Sequence, residues 1–420
     1  MNEFKEKRLL LLGGSKPYVK AAIVAKELGM HVIVVDQNAT SEILRYADEY
    51  ARFSLLDIEG ISKWCEKKPV DGILNLCVDF AQRTQQVLCE RFCLPCTYDK
   101  QQVNTLANKN LFKQNLLQSN LEIIKTYTEE DIRNDRALYP VIIKPAEGSG
   151  SRGTTTCFDK NEALLGISKA KRESRSGDII IEEYVLDAQE VQITYFLQNG
   201  VVNVIRTADS YEGERKDGLE RVVACAISPS KYTEEYFNTT HNNVLQMVNH
   251  LQLHDGPFFM QGFYHEGKFK FFDPGCRFPG VDFDSIYTSE YNIDIAKQMV
   301  YYAITGKMPD INIPQKMYYL QGKKAAVLFP VLRPGQIDNV IGIDIIERNM
   351  KVFSISKRHD VGDVISCTHD VNQRFGEFDI IADNMNDLKE QINDIQRTLK
   401  VLDTDGKEMI YSHFDVNRIC

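Results

Sequence analysis

Several features are missing from this chain, and each absence excludes a class of protein. No stretch approaches 18 consecutive apolar residues, so the sequence predicts no membrane-spanning helix. Positive charge is not in excess, since the formal net charge is −9, and this argues against general nucleic-acid binding, which uses a basic surface. Neither an internal repeat nor a low-complexity linker is present. The charged N-terminus leads into a strand rather than a signal peptide, so we expect a soluble cytoplasmic protein with closely packed lobes.

Familiar catalytic and metal-binding motifs are missing too. There is no Ser-His-Asp or Cys-His signature, and no Gly-Lys-Ser/Thr sequence of a Walker A loop. Gly13-Gly14-Ser15 lacks the G-x-G-x-x-G spacing of a dinucleotide site, so a dehydrogenase is a weak alternative. The cluster Cys89, Cys93 and Cys96 has no second Cys/His pair nearby, which makes it a poor zinc site. We therefore interpret the cysteines as reduced structural thiols.

The first hundred residues alternate between apolar strands and a helix, which predicts a parallel α/β sheet. A buried strand ends in the Gly13-Gly14-Ser15 turn, and a helix then runs from Pro17 to Leu28. The glycine turn and the helix N-terminus could bind an anionic group. The expected strands of this sheet are Arg8–Leu12, His31–Asp36 and Val70–Leu76.

The segment from Tyr139 to Gly153 carries the strongest chemical signal. Val141-Ile142-Ile143 is a short β-branched run that favours a strand, and Lys144 follows it. Three glycines and two serines occur in the next nine residues, and their backbone N–H groups can turn towards an anion. A lysine beside such a loop is suited to a polyphosphate.

Three further motifs accompany this segment. The helix that opens at Asn108 carries Lys109, with Lys113 one turn later on the same side. The strand Asp178–Ile181 runs into Glu182-Glu183-Tyr184-Val185, and Glu190 follows. The strand Phe269–Phe272 runs into Asp273, with Arg277 four residues later.

The order of these motifs resembles the ATP-grasp superfamily, and most closely carboxylate–amine ligases of the L-amino-acid ligase, phosphoribosylglycinamide synthetase and carbamoyl-phosphate synthase types. The resemblance implies an α/β fold with three parts. These are a Rossmann-like lobe at residues 1–105, an ATP-grasp domain at 106–315 with its lid at about 121–185, and a β-rich lobe at 316–420.

The resemblance also implies how ATP is held. Two lysines would contact the phosphates, the glycine-rich loop would close over the nucleotide, and the hinge backbone would meet the adenine edge. The adenine would lie between two apolar side chains, and Glu190 would accept from the ribose hydroxyls. The residues assigned to ATP are Lys109, Ile142, Lys144, Glu147, Gly148, Ser149, Gly150, Ser151, Glu182, Glu183, Tyr184, Val185, Glu190 and Phe272.

The expected metal site departs from the family pattern. Asp273 occupies the position of the family's metal-binding acid, but Gly275 replaces the usual asparagine and Gln261 replaces an upstream acid. Asp273 and Gln261 are the predicted ligands of Mg²⁺, with Mn²⁺ as an alternative ion. Mg²⁺ takes much of its coordination from phosphates and water, so this set need not abolish binding. Asp282 and Asp284 are either compensating carboxylates or ordinary loop acids.

The implied reaction activates a carboxylate as an acyl phosphate, releasing ADP and phosphate after attack by an amine. Lys144 and Arg277 are the predicted catalytic residues. The expected partners are a small-molecule carboxylate and a small-molecule amine. We expect no binding to nucleic acid or membrane. A homodimer is a possible assembly. An ATP-binding regulatory or scaffold protein with a degraded metal site is the alternative.

Several local patterns predict elements beyond the motifs. Val191–Phe196 and Val201–Ile205 predict a hairpin through Gln198-Asn199-Gly200. Thr233–Leu251 predicts one amphipathic helix. Val340–Ile346 predicts a strand in the C-terminal lobe, and Asp387–Val401 a helix packed on that lobe.

Overall fold

The computed structural model describes residues 3–39, 41–146, 153–174, 176–213, 222–280, 284–349, 351–366, 371–411 and 413–419. Some predicted residues lie outside these ranges: Glu147, Gly148, Ser149, Gly150, Ser151 and Asp282. The side chain of Asp284 is likewise not described.

The N-terminal lobe is a parallel sheet with helices packed on it. Its elements are β1 Arg8–Leu12, α1 Lys16–Glu27, β2 His31–Val35, β3 Glu49–Ala51, α2 Ile58–Lys67, β4 Gly72–Leu74 and α3 Ala81–Phe92. The strand order is β3-β2-β1-β4. Helix α1 has proline in its first turn, and the chain leaves it at Gly29, whose φ is 85°. The predicted β-α-β unit is confirmed.

Two short helices connect this lobe to the lid, α4 Lys100–Ala107 and α5 Lys109–Gln118. Asn108 begins α5, because its side chain accepts from the backbone N–H groups of Asn110 and Leu111. The lid contains β5 Thr126–Tyr127, α6 Glu129–Arg133, β6 Val141–Pro145, β7 Thr155–Cys157, α7 Lys160–Glu173 and β8 Ile179–Glu183. Its antiparallel sheet has the order β5-β8-β6-β7.

The body and the C-terminal lobe are built around one antiparallel sheet. The elements of the body are β9 Gln189–Gln198, β10 Val201–Glu212, β11 Val223–Ser228, α8 Thr233–Thr239, α9 His241–His250, β12 Gly256–His265, β13 Lys268–Gly275, α10 Asp284–Tyr291 and α11 Ile295–Thr305. Those of the C-terminal lobe are β14 Lys324–Leu328, β15 Gly335–Ile341, α12 Ile343–Asn349, β16 Val352–Lys357, β17 Val364–Ile365, β18 Gly376–Ala382, α13 Met385–Thr398, β19 Lys400–Asp403 and a 3₁₀ turn Val416–Arg418. The predicted hairpin is confirmed as β9 and β10.

The large sheet has the order β13-β12-β9-β10-β11-β14-β18-β16. Strand β14 pairs with β11 of the body and with β18 of the C-terminal lobe. The sheet therefore continues across the predicted domain boundary at residues 315/316. A smaller sheet, β17-β15-β19, lies in the C-terminal lobe.

Three element predictions need correction. The predicted helix Asp387–Val401 ends at Thr398, and Val401 lies in β19. The predicted helix Thr233–Leu251 is divided into α8 and α9, because Thr240 has φ −125° and ψ −35° between them. The predicted strand Val340–Ile346 ends at Ile341, and α12 begins at Ile343. Gly342 turns the chain with a φ of 95°, and a Cβ there would collide with the carbonyl oxygen of Thr398. The apolar residues after Gly342 then form a helix whose Ile346 is buried.

The N-terminal lobe packs tightly against the body. Tyr18 of α1 and Met299 of α11 lie in one hydrophobic core with Phe196 of the large sheet. At Gly72, the first residue of β4, a Cβ would collide with the carbonyl oxygen of Ala303 in α11. Glycine is therefore needed for this close approach of strand and helix. The packing brings Leu76 and Asp79, which follow β4, into hydrogen bonds with Phe278 and Arg277, which follow β13.

Among the described residues, no helix combines the length and the apolar character needed to cross a bilayer.

Candidate active site

A buried carboxylate with two lysine partners lies between the lid and α5. The side chain of Glu182, at the end of β8, is 1% exposed. Its Oε2 lies 2.7 Å from Nζ of Lys144 on β6, and its Oε1 contacts Nζ of Lys113 on α5. Burial alone would raise the pKa of Glu182, but the ammonium groups of Lys144 and Lys113 outweigh it and lower the pKa. With all three groups ionised, this triad carries a net positive charge.

An apolar cluster adjoins the triad. The Nζ of Lys144 lies 5.4 Å from the ring centroid of Phe272 on β13, and the rings of Phe272 and Phe263 are 4.9 Å apart. Val185 belongs to the same hydrophobic cluster. Ile142 is half-buried on β6, two residues before Lys144 and therefore on the same face of the lid sheet. The predicted adenine-flanking residues thus lie on the lid and on the body, as expected for a ring bound between them.

In the hinge, which is the segment of residues 182–185, two backbone N–H groups form hydrogen bonds within the protein. The N–H of Glu183 donates to the carbonyl oxygen of Lys125 at 2.9 Å, and the N–H of Tyr184 donates to that of Pro140 at 3.0 Å. Tyr184 is buried. The N–H groups of Glu183 and Tyr184 are therefore already used within the protein.

Residues predicted to bind phosphate, metal and ribose meet where β12 pairs with β9 and β13. The Nζ of Lys109 lies 3.3 Å from Oδ1 of Asp273. Gln261 on β12 is the direct cross-strand partner of Asp273 on β13. The Nε2 of Gln261 donates to Oε1 of Glu190 at 2.6 Å. Sequence motifs that are far apart in the chain therefore form one polar group.

The donors present fit one magnesium ion. Asp273 is one-third exposed and supplies a carboxylate, and the amide oxygen of Gln261 is a further hard donor. The part of the chain described by the structure contains no group of three or more His, Cys, Asp or Glu side chains placed to hold a metal. At Gly275, a Cβ would collide with the ring of Phe259. An asparagine at position 275 would therefore fit only if the buried ring of Phe259 shifted.

Arg277 joins the body to the N-terminal lobe. Its Nε donates to Oδ1 of Asp79 at 3.2 Å, and its Nη1 donates to the carbonyl oxygen of Phe278 at 2.9 Å. Its guanidinium lies 4.9 Å from the ring centroid of Phe259. Asp79 follows β4, at the edge of the parallel sheet where ligands commonly bind. The position is suited to a substrate held between the two lobes.

Several site residues were not predicted from the sequence. The sequence predicts that Lys113 faces the same side as Lys109, but it does not predict the contact of Lys113 with Glu182. The Nη1 of Arg206 donates to Oε1 of Gln192 at 2.9 Å, and Gln192 is the cross-strand partner of Gln261. The alternation of polar residues along β9 is a signal that could have identified Gln192.

The far end of the chain also reaches the site. Arg418 lines a cavity of about 300 Å³ together with Val185, Glu190 and Phe263. Its Nη1 donates to the carbonyl oxygen of Glu212 at 2.6 Å. No local sequence pattern indicates this contact, because it depends on how the C-terminal lobe packs.

The comparisons with known proteins agree with this geometry. Residues 99–262 match the family described as carbamoyl-phosphate synthase L chain, ATP binding domain. The formate-dependent phosphoribosylglycinamide formyltransferase of Prochlorococcus marinus (strain NATL1A) is 24% identical over 260 residues, 60% of this chain and 65% of that protein. The chain therefore spans just under two thirds of the length of this relative. The 3-methyl-D-ornithine–L-lysine ligase of Methanosarcina mazei is 24% identical over 77% of this chain and 81% of that protein.

Solved structures show the same fold. L-amino acid ligase from Bacillus licheniformis superposes with a TM-score of 0.76 at 16% identity, covering 95% of this chain and 99% of that one. Phosphoribosylglycinamide synthetase from Anaerococcus prevotii superposes with a TM-score of 0.71 at 16% identity, covering 95% of this chain and 100% of that one.

The predicted ATP-grasp fold is thus confirmed. In sequence, the chain is similar to the ATP-binding domain named above and to carboxylate–amine ligases.

Proposed function

We propose that this protein is an ATP-dependent ligase that joins a carboxylate to an amine and releases ADP and phosphate. The observation that carries the proposal is the pairing of predicted site residues from distant motifs. Lys144 pairs with Glu182 beside Phe272. Lys109 pairs with Asp273, and Gln261, the strand partner of Asp273, donates to Glu190. Two similar proteins are named as ligases of amino acids, which favours a carboxylate and an amine as substrates. We place the activity in the cytoplasm and take a homodimer as the assembly to test first.

The chemistry follows from the weakness of a carboxylate as an electrophile. Phosphorylation of the carboxylate by the γ-phosphoryl group of ATP gives an acyl phosphate with a far better leaving group, and the amine then displaces phosphate. The chain need only position the reactants and neutralise charge. Lys109 and Lys144 would offset charge on the phosphates. Bound Mg²⁺, held by Asp273 and Gln261, would offset further phosphate charge.

Arg277 is suited to the carboxylate or to the moving phosphoryl group. A guanidinium binds either oxyanion with two parallel hydrogen bonds. Its contact with Asp79 fixes the guanidinium at the join between lobes, where the acid substrate would meet the nucleotide. The glycine-rich loop would exclude water from the acyl phosphate.

The proposal is tested by product analysis with candidate acids and amines. We expect ADP and phosphate in equal amounts, and a hydroxamate when hydroxylamine replaces the amine. Lys144→Ala should abolish turnover, and Lys125→Ala, which removes an exposed lysine near the hinge, should not. Release of AMP and pyrophosphate would contradict the acyl phosphate. ATP binding without turnover across the screen would favour the regulatory alternative.

A further inference from the structure

Glu182 has more cationic partners than its charge requires. One carboxylate contacts two ammonium groups, Lys144 and Lys113. The two lysines lie in different surroundings. Lys144 is on the lid strand, with Nζ above the ring of Phe272 in the candidate nucleotide pocket. Lys113 is on α5, outside the lid, and its side chain is 7% exposed.

The arrangement poses a problem if Lys144 is to bind phosphate. Lys144 would have to give up at least part of its contact with Glu182. A buried carboxylate that loses its only cation is strongly destabilised, because water cannot reach it. A second cation that stays in place removes this cost.

This inference rests on the proposed ATP site: we propose that Lys113 is a positioning residue. It remains on Glu182 as a resident counter-ion, and this allows Lys144 to transfer its hydrogen bonds from Glu182 to the phosphates of ATP. Lys113 then supports nucleotide binding without touching the nucleotide.

This role has a signature that a phosphate contact or a packing role does not share. If Lys113 is removed, Lys144 is the remaining cation on Glu182 and must stay there. Lys144 can then no longer bind the phosphates, so the affinity for a triphosphate falls. Adenosine has no phosphates and does not require Lys144 to move. Once Glu182 is neutral, Lys144 is released in any case, and Lys113 no longer matters.

The experiment is a double-mutant cycle with Lys113→Met and Glu182→Gln, in which the dissociation constants of Mg²⁺–AMP-PNP and of adenosine are measured by calorimetry. We expect Lys113→Met to weaken AMP-PNP binding at least about tenfold and adenosine binding less than about threefold. In the Glu182→Gln background, Lys113→Met should leave AMP-PNP affinity within about twofold. Lys125→Met removes a nearby exposed lysine and serves as the control.

Each other outcome contradicts the inference. Equal losses for both ligands would indicate a packing role. An undiminished loss in the Glu182→Gln background would indicate a direct or long-range effect of Lys113 on the phosphates. If Lys113→Met alone does not fold, Lys113→Met/Glu182→Gln compared with Glu182→Gln keeps the inference falsifiable, because a loss of AMP-PNP affinity there would refute it. A wild-type protein that binds no nucleotide would refute the proposed function itself, whereas binding that Lys113→Met leaves unchanged would refute only this inference.

Discussion

Gln261 occupies a position where the family pattern has a metal-binding acid, and its neighbour Glu190 explains why an amide suits this position. The amide N–H₂ donates to the Glu190 carboxylate at 2.6 Å. A carboxylate in its place would lack a donor and would add a like charge. The amide thus links Glu190, the predicted ribose-binding acid, to the strand pair that carries Asp273, the predicted metal ligand, without like-charge repulsion.

Gln261→Glu should therefore make the protein more dependent on divalent metal. Without metal, we expect the free energy of unfolding to fall by about 1–3 kcal/mol, because the hydrogen bond is lost and two carboxylates face each other. Mg²⁺ or Mn²⁺ should restore part of that loss. Urea unfolding with and without MgCl₂ measures both effects, and Gln336→Glu, on an exposed part of β15, is the control. A variant whose response to Mg²⁺ equals that of wild type would contradict this role for position 261.

At the residue scale, the sequence identifies site residues that belong to local motifs, but it does not identify the partners that these residues contact through packing. Lys144 and Asp273 stand next to glycine-rich or acidic motifs, so their chemistry could be inferred. The pairing of Gln261 with Asp273 depends on the register of β12 and β13. The partner of Arg277, Asp79, comes from another lobe, and no spacing in the sequence indicates it. The roles of all these side chains in binding and catalysis remain predictions.

At the scale of elements, the contact between β4 and α11 sets how the N-terminal lobe meets the body. Gly72→Ala should push β4 and α11 apart, because the added Cβ would collide with the Ala303 carbonyl oxygen. We expect a loss of about 1–3 kcal/mol in the free energy of unfolding, measured by urea denaturation. Gly280→Ala is a suitable control, since a Cβ there has no heavy atom within 4 Å. Equal stability of the two variants would show that the lobes separate freely at this contact.

Apolar runs ended by turn residues predicted several elements of the N-terminal lobe and the body, namely β1, α1, β2, β4, β9, β10 and β13. They did not predict β3, α2, α3, β11, α10 or α11. They also failed where one residue redirects an apolar run. At Gly342 the left-handed φ and the nearby Thr398 carbonyl end the strand, although the sequence stays apolar through Ile346. Such a turn depends on a neighbour distant in the sequence.

For the whole molecule, the shared sheet means that the C-terminal lobe cannot be removed cleanly. A chain of residues 1–315 would leave β11 as an open edge without β14 and expose its apolar face. Exposed edges promote aggregation, so we expect this truncation to be insoluble. Solubility and size-exclusion chromatography, with the full chain as control, test this. A soluble, cooperatively folded fragment would show that residue 315 is a true domain boundary.

The strand order of the large sheet also constrains when the protein can fold during its synthesis. The strands that carry Glu190, Gln261 and Asp273 leave the ribosome before β14, β18 and β16 exist. Until β14 emerges, β11 remains unpaired on that side, in the middle of the future sheet. Domains usually fold as units as they emerge, but this unit closes only after β18, which ends at Ala382, has been made. The nascent chain therefore carries an open strand edge from the emergence of β11 to that of β18, and chaperone binding should matter most in this interval.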